Sequence, residues 1–248
     1  MTLRKRLWYG VFIMDKWGSL GAGMPSHIKT DDFDVLPLSD SDLEPPSFDT
    51  TLNTIPGFLE PEADTNHFRL LSELTLILSD IMDSYYSLRA IQRTSKDLRL
   101  SLELAKPLRS RLKIWNDSLP PSLSLRHSER RDSRGMARLS GNPSLSLAYI
   151  VATITLFRAL LRPLENSSSL DDEDHVILSR NAVRVGAKEC AKEVVEFVEN
   201  LGRGALDAFW HSCKLLPARA LHLTVLTILL QGHEPTLPSP LPSSCNFL

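Results

Sequence analysis

The run Asp171-Asp172-Glu173-Asp174-His175 sets four carboxylates and an imidazole in five consecutive positions, the most enzyme-like signal in the chain. Helical isoprenoid synthases hold magnesium on aspartate-rich helices, with two aspartates and a further acid three residues after the second. Here His175 fills that third place, whereas magnesium wants oxygen ligands in a near-octahedral array. Carboxylates at a helix start also complement the positive end of the helix dipole, and the run is read that way. Asp31, Asp32 and Asp34 read as turn formers and solvated charge rather than ligands. His211 and Cys213 lie two apart and His222 well beyond them, so they lack the i, i+4 pairing of a helix-borne zinc site. Gly21-Ala22-Gly23 has no third glycine at the required place and no strand before it, which removes the dinucleotide reading. There is no P-loop and no G-x-S-x-G elbow. No catalytic, cofactor-binding or metal-ligating set is assigned, and the expectation is a non-enzyme without a cofactor of its own. Asp15 is singled out for another reason. It sits within an apolar helix, and burying an unpaired carboxylate costs several kcal/mol, so a structural lock to Ser19 or to an arginine is expected.

These residues must be carried by elements, and the 248-residue length allows one large helical domain or two small ones. The net charge of -2 supplies no global basic field for a phosphate backbone. Charge is instead segregated: no Lys or Arg occurs between Thr30 and Phe68, while Arg126, Arg130, Arg131, Arg134 and Arg138 dominate the stretch between them. Both runs read as solvated loops, the basic one also as a possible import or phosphorylation patch. Three cysteines, Cys190, Cys213 and Cys245, cannot build a disulfide framework or a metal knuckle. The apolar stretches Leu145–Leu161 and Leu215–Leu230 contain Arg158 and Arg219 and are read as buried helices, with no membrane partner.

Apolar spacing predicts an all-α fold of about six principal helices with long irregular loops. Residues Leu3 to Leu20 are apolar around more than half the helix circumference, which predicts a central core helix ended by Gly21, Gly23 and Pro25. Helical pattern returns at His67–Thr94 and at Ser95–Trp115, where Pro107 is expected to kink or split the helix. It returns again at Pro143–Leu161, stopped near Pro163, with Asn142 as its N-cap. A further helix runs from Asp172–Asp174 to Leu201, with Val176, Val183, Ala187, Cys190, Ala191, Val194, Val198 and Leu201 inward. A last one spans Ala205–Leu230. The expected organisation is one domain over residues 1–230, with an acidic connector at 24–66, a flexible basic loop at 120–141 and a loose tail at 231–248.

The segment Arg6–Leu38, RLWYGVFIMDKWGSLGAGMPSHIKTDDFDVLPL, resembles the fungal-specific regulatory region, or middle homology region, of binuclear zinc-cluster transcription factors. An arginine-led aromatic helix is followed by Asp15-Lys16, a small turn, a proline, then an isoleucine, spaced aspartates and Val-Leu-Pro. Leu147–Leu164 and Phe209-Trp210 are similar to later parts of the same region. Where that family has Gly-Arg-Pro this chain has Gly23-Met24-Pro25, and the family's zinc-binding six-cysteine cluster and coiled coil have no counterpart. The chain opens where the family is already mid-domain, which implies a truncated product, a partial gene model or a paralogue without its DNA reader.

The resemblance implies a regulatory, non-catalytic domain acting on RNA polymerase II transcription in a fungal nucleus. It implies protein partners or a small-molecule effector, and DNA contact through a separate zinc-cluster domain. A pocket between the aromatic first helix (Trp8, Phe12, Trp17) and the last helix (Phe209, Trp210) is the expected effector site. The alternatives are an isoprenoid-synthase-like enzyme and a helical scaffold unrelated to transcription.

Overall fold

The computed structural model describes residues 2–43, 61–120, 123, 143–166 and 174–199. Among them are seven α-helices, one 3-10 turn and no strand, so the all-α expectation holds. The helices are α1 (Thr2–Ala22), α2 (Asp40–Leu43), α3 (Pro61–Tyr85), α4 (Leu88–Thr94), α5 (Leu98–Asp117), α6 (Pro143–Asn166) and α7 (Asp174–Glu199), with the 3-10 turn at Thr30–Asp32.

Packing runs from edge to edge. α1 lies on α3; α3 meets α5 and α6; α5 and α6 pack together; and α7 lies on α6. The centre is therefore α6, not α1. α6 buries Leu145, Ile150, Val151, Ala152, Ile154, Leu156, Phe157, Ala159, Leu160 and Leu161, and its alanines and threonines let three neighbours approach. It is long and apolar enough to cross a bilayer, yet 67% of that stretch is buried within the fold, as for the core helix of a folded domain. α1 buries Tyr9, Phe12, Ile13, Lys16 and Trp17 on one side and leaves Leu3, Leu7, Val11 and Met14 more than half exposed on the other. The expectation of a central first helix is corrected on that face, because only one side of α1 meets other described elements.

Local chemistry explains the boundaries. α1 ends where Gly23 takes φ +66, a left-handed conformation that glycine adopts without a Cβ clash, and the Gly23 and Met24 amides close onto the carbonyls of Leu20 and Ser19. The single helix expected over His67–Thr94 is divided. Ser87 caps α4 by accepting from the Ala90 amide, and Asp97 caps α5 by accepting from Leu100. The α4–α5 corner is pinned by Ser101 Oγ donating to Thr94 O at 3.0 Å and Tyr85 OH donating to Ser101 O at 2.6 Å.

Two prolines lie inside helices that continue past them. α5 runs unbroken through Pro107, which lies on its exposed side, where water can serve the carbonyl that loses its amide. α6 continues through Pro163 to Asn166. Its last turn is tied down by Arg162, whose Nη1 donates to Tyr85 O at 2.8 Å while the guanidinium sits 4.4 Å from the Tyr86 ring centre. On α7, Val183, Ala187, Cys190, Ala191 and Val194 face inward as the pattern predicts, and Lys188, Glu189, Lys192, Glu193 and Glu196 face solvent. Val198 is 59% exposed, and Phe197 takes the inward place instead. Asn142, Leu201 and the expected last helix at 205–230 lie outside the described residues.

Candidate functional site

The densest polar construction in the described fold is a clasp between α1 and the segment that follows it. After Gly23 the chain doubles back along α1 as a strap, residues 23 to 43. Asp15, Lys16 and, one turn on, Ser19 of α1 grip it. Asp15 Oδ1 accepts from the His27 amide and meets His27 Nδ1, both at 3.0 Å, and Oδ2 accepts from the Ile28 amide at 3.0 Å. Lys16 Nζ donates to Ser26 Oγ at 2.9 Å and to the Ile28 carbonyl. Ser19 Oγ donates to the Pro25 carbonyl. Adjacent residues of opposite charge thus hold both sides of one peptide, the carboxylate taking its N–H groups and the ammonium its C=O.

The predicted need of Asp15 for a partner is met, but the partner is corrected. Neither Ser19 nor an arginine fills it; the carboxylate binds backbone amides across the turn. Met24 stands at the place where the resembling family has arginine, and its side chain points to solvent.

Lys16 is fully buried, lies 5.5 Å from the Phe12 ring centre, and feels the carboxylates of Asp83, Asp15 and Asp80. Burial drives its pKa below the usual lysine value, against those three charges. For Asp15, burial raises the carboxyl pKa, but the bonds from His27 and Ile28 and the neighbouring Lys16 charge outweigh it, and the net direction is down.

Farther along, Tyr9 OH donates to the Val35 carbonyl at 3.4 Å, and Thr30 Oγ1 donates to Asp83 Oδ2 at 3.1 Å on α3. Asp31, Asp32 and Asp34 are exposed beside that 3-10 turn, as solvated turn residues. The strap ends at α2, where Asp42 pairs with Lys5 at 2.5 Å and its carbonyl accepts from Arg6.

The aromatic first helix does not present one pocket wall. Trp8 and Phe12 pack edge-on against Phe33, at 5.1 and 5.5 Å between centres, in a small cluster with Tyr9 and Leu38. Trp17 joins the main core instead and donates from Nε1 to Thr75 Oγ1 at 2.9 Å. Five residues at 100° each turn Trp17 about 140° from Phe12 around the helix, which divides the rings between the two clusters. Phe209 and Trp210 lie outside the described residues, as do Asp171, Asp172, Glu173, His211, Cys213, His222 and the basic run 126–138. Trp8 Nε1 is buried without a hydrogen-bond partner.

Among the described residues no three His, Cys, Asp or Glu side chains converge as a metal site. Cys190 is buried against α6, and burial pushes its thiol up to about 12, far from a reactive thiolate. The arrangement binds peptide groups and positions a strap.

The comparisons with known proteins place this helical assembly among transcriptional regulators. Residues 2–117 match the fungal specific transcription factor domain. The chain is similar to the transcriptional activator protein DAL81 of Saccharomyces cerevisiae, 30% identical over 85% of this chain and 24% of that protein. It is also similar to activator of stress genes 1 of the same yeast, 28% identical over 96% of this chain and 23% of that protein. An uncharacterised transcriptional regulatory protein of Schizosaccharomyces pombe is 36% identical over 40% of this chain and 13% of its own length. The chain thus spans about a quarter of the length of the two budding-yeast relatives. No solved structure matches it. The 248 residues hold three cysteines, too few for a six-cysteine zinc cluster.

Proposed function

We propose that this chain is the regulatory part of a fungal transcription factor. It couples the binding of a protein partner or a small-molecule effector to the activity of a separate zinc-cluster DNA reader in the nucleus. The observation that carries this reading is the family match over residues 2–117 together with similarity along most of the chain to two yeast proteins named as activators. The clasp supports it physically. A strap held by directional bonds is a two-position element, since opening it breaks several bonds together, and such elements can be biased by a ligand. The proposed organisation remains one domain over residues 1–230 with a tail at 231–248.

The test is a reporter gene in fungal nuclei driven by an unrelated DNA-binding module fused to the whole chain. Output should change several-fold against the module alone, and Lys16→Ala should abolish the change. Output equal to that of the module alone, from a fusion present in the nucleus and folded, sinks the regulatory role.

A further inference from the structure

The end of the strap carries a feature that the family assignment leaves unused. Ser39 and Ser41 alternate with Asp40 and Asp42, both serines are exposed, and their hydroxyl oxygens lie 3.0 Å apart. Ser39 has carboxylates one and three residues after it, and the nearest Lys or Arg in the sequence are Lys29 and Arg69. That pattern suits a serine kinase that reads acid on the carboxyl side of its target. The same serine holds the latch closed: its Oγ donates to Asp42 Oδ2 at 2.7 Å and its amide donates to that oxygen at 2.9 Å. Lys5 Nζ meets Asp42 Oδ2 from α1 at 2.5 Å, and Arg69 of α3 stands 3.5 Å from Asp40. Leu38 and Leu43, buried on either side, are the apolar weight of this end of the strap.

We propose that Ser39 is a phosphorylation site for an acid-directed serine kinase and that phosphate there opens the latch between α2 and α1. The kinase transfers the γ-phosphoryl group of ATP to Ser39 Oγ; the hydroxyl proton leaves to the kinase base and ADP departs. Three consequences follow from charge and donor count. Oγ no longer carries the proton that it gave to Asp42. A group of charge near -2 arrives within contact of the Asp40 and Asp42 carboxylates, which repel it. Counting Lys5, Arg6 and Arg69 against Asp40, Asp42 and Glu73, which accepts from Arg69 at 2.8 Å, the latch is balanced, and the dianion makes it net negative. Asp42 loses the Ser39 hydroxyl as a donor, and repulsion from the phosphate drives its carboxylate away from Lys5, the pair that ties α2 to α1. α2 has four residues and packs on α1, so it can open locally without unfolding the core, which is also how the serine reaches a kinase cleft. This inference rests on the strap alone and is independent of the coupling role.

The test uses the full 248-residue chain, ATP and an acid-directed serine kinase, with site mapping by mass spectrometry and amide hydrogen exchange on residues 35–43 and 70–82. Phosphate should appear on Ser39, vanish in Ser39→Ala and return on threonine in Ser39→Thr. Exchange over 35–43 should rise about tenfold on phosphorylation while 70–82 stays unchanged. Lys5→Ala, without phosphate, should raise exchange in the same segment. No phosphate at position 39, phosphate on Ser41 alone, or a phosphorylated chain with unaltered exchange over 35–43 would each overturn the proposal.

Discussion

The two edges of the bundle are held by opposite means. At the α1 edge a strap is fastened by buried and half-buried polar groups, most of whose bonds are aimed at particular backbone atoms. At the α7 edge the seam with α6 is made by Val183, Ala187, Cys190, Ala191 and Val194, and by the meeting of Gly186 with Phe157. Polar fastening is directional and costly to leave half-made, so it specifies one arrangement and fails abruptly. Apolar contact is tolerant of sliding and fails in proportion to the volume changed. The α1 edge is thus the one expected to fail abruptly, the α7 edge the one expected to yield gradually.

The largest expected effect tests the first half of that contrast. Lys16→Ala removes a fully buried ammonium, leaves the Ile28 carbonyl and Ser26 hydroxyl with only their own 3.5 Å bond and opens a cavity, at a cost of about 4 kcal/mol. Lys16→Met keeps most of the stem and gives up only the bonds, costing about 2 kcal/mol. Denaturant titration at neutral pH measures both. A Lys16→Met variant as stable as the native chain would mean that the ammonium contributes nothing and that the edges do not differ in kind.

The second test concerns the α7 edge and is smaller. A Cβ on Gly186 would come within 2.6 Å of Phe157 Cε1, and that ring is itself held 5.6 Å below the Arg109 guanidinium. Gly186→Ala should therefore cost about 1 kcal/mol, the overpacking strain exceeding the gain in helix propensity. In a Phe157→Leu background the obstruction is gone, and the same alanine should stabilise by about 1 kcal/mol through propensity alone. A double-mutant cycle reads this sign change; alanine effects equal in both backgrounds would remove the close approach as the seam's determinant.

Legibility in the sequence followed the same division. α7 and α6 were visible because apolar periodicity is a local signal, and Val183, Ala187, Cys190 and Val194 fall where the spacing put them. The clasp was half visible. An aspartate inside an apolar helix announces that it needs a partner, but the partner is a pair of amides more than ten residues on, whose positions depend on the turn after Gly23. Lys16 is not legible as a buried residue, because nothing local says that its stem is enclosed by Phe12 and the strap. Pro163 misled because proline's effect on a helix depends on what holds the following turn, here Arg162 on Tyr85 and Tyr86. The division of Trp8, Phe12 and Trp17 was available from the 100° step alone.

The smallest expected effect separates the edges by pH. The Asp15 carboxyl titrates below its ordinary value in the folded chain, so the folded state binds fewer protons than the unfolded state in the acid range. Its contribution is fully present above the ordinary carboxyl pKa near 3.8 and is lost as pH falls through the lowered folded value. Asp15→Asn still accepts from one amide through its carbonyl oxygen but forfeits the charge-assisted part, which is about 1 kcal/mol at neutral pH. The stability gap between the native chain and Asp15→Asn should therefore narrow as pH falls below about 5 and the carboxyl takes up its proton. The gap between the native chain and Gly186→Ala should not move over the same range, because both partners at that seam are uncharged. Denaturant midpoints measured at each pH would distinguish the two, and parallel narrowing in both variants would show acid acting on the bundle as a whole rather than on the clasp.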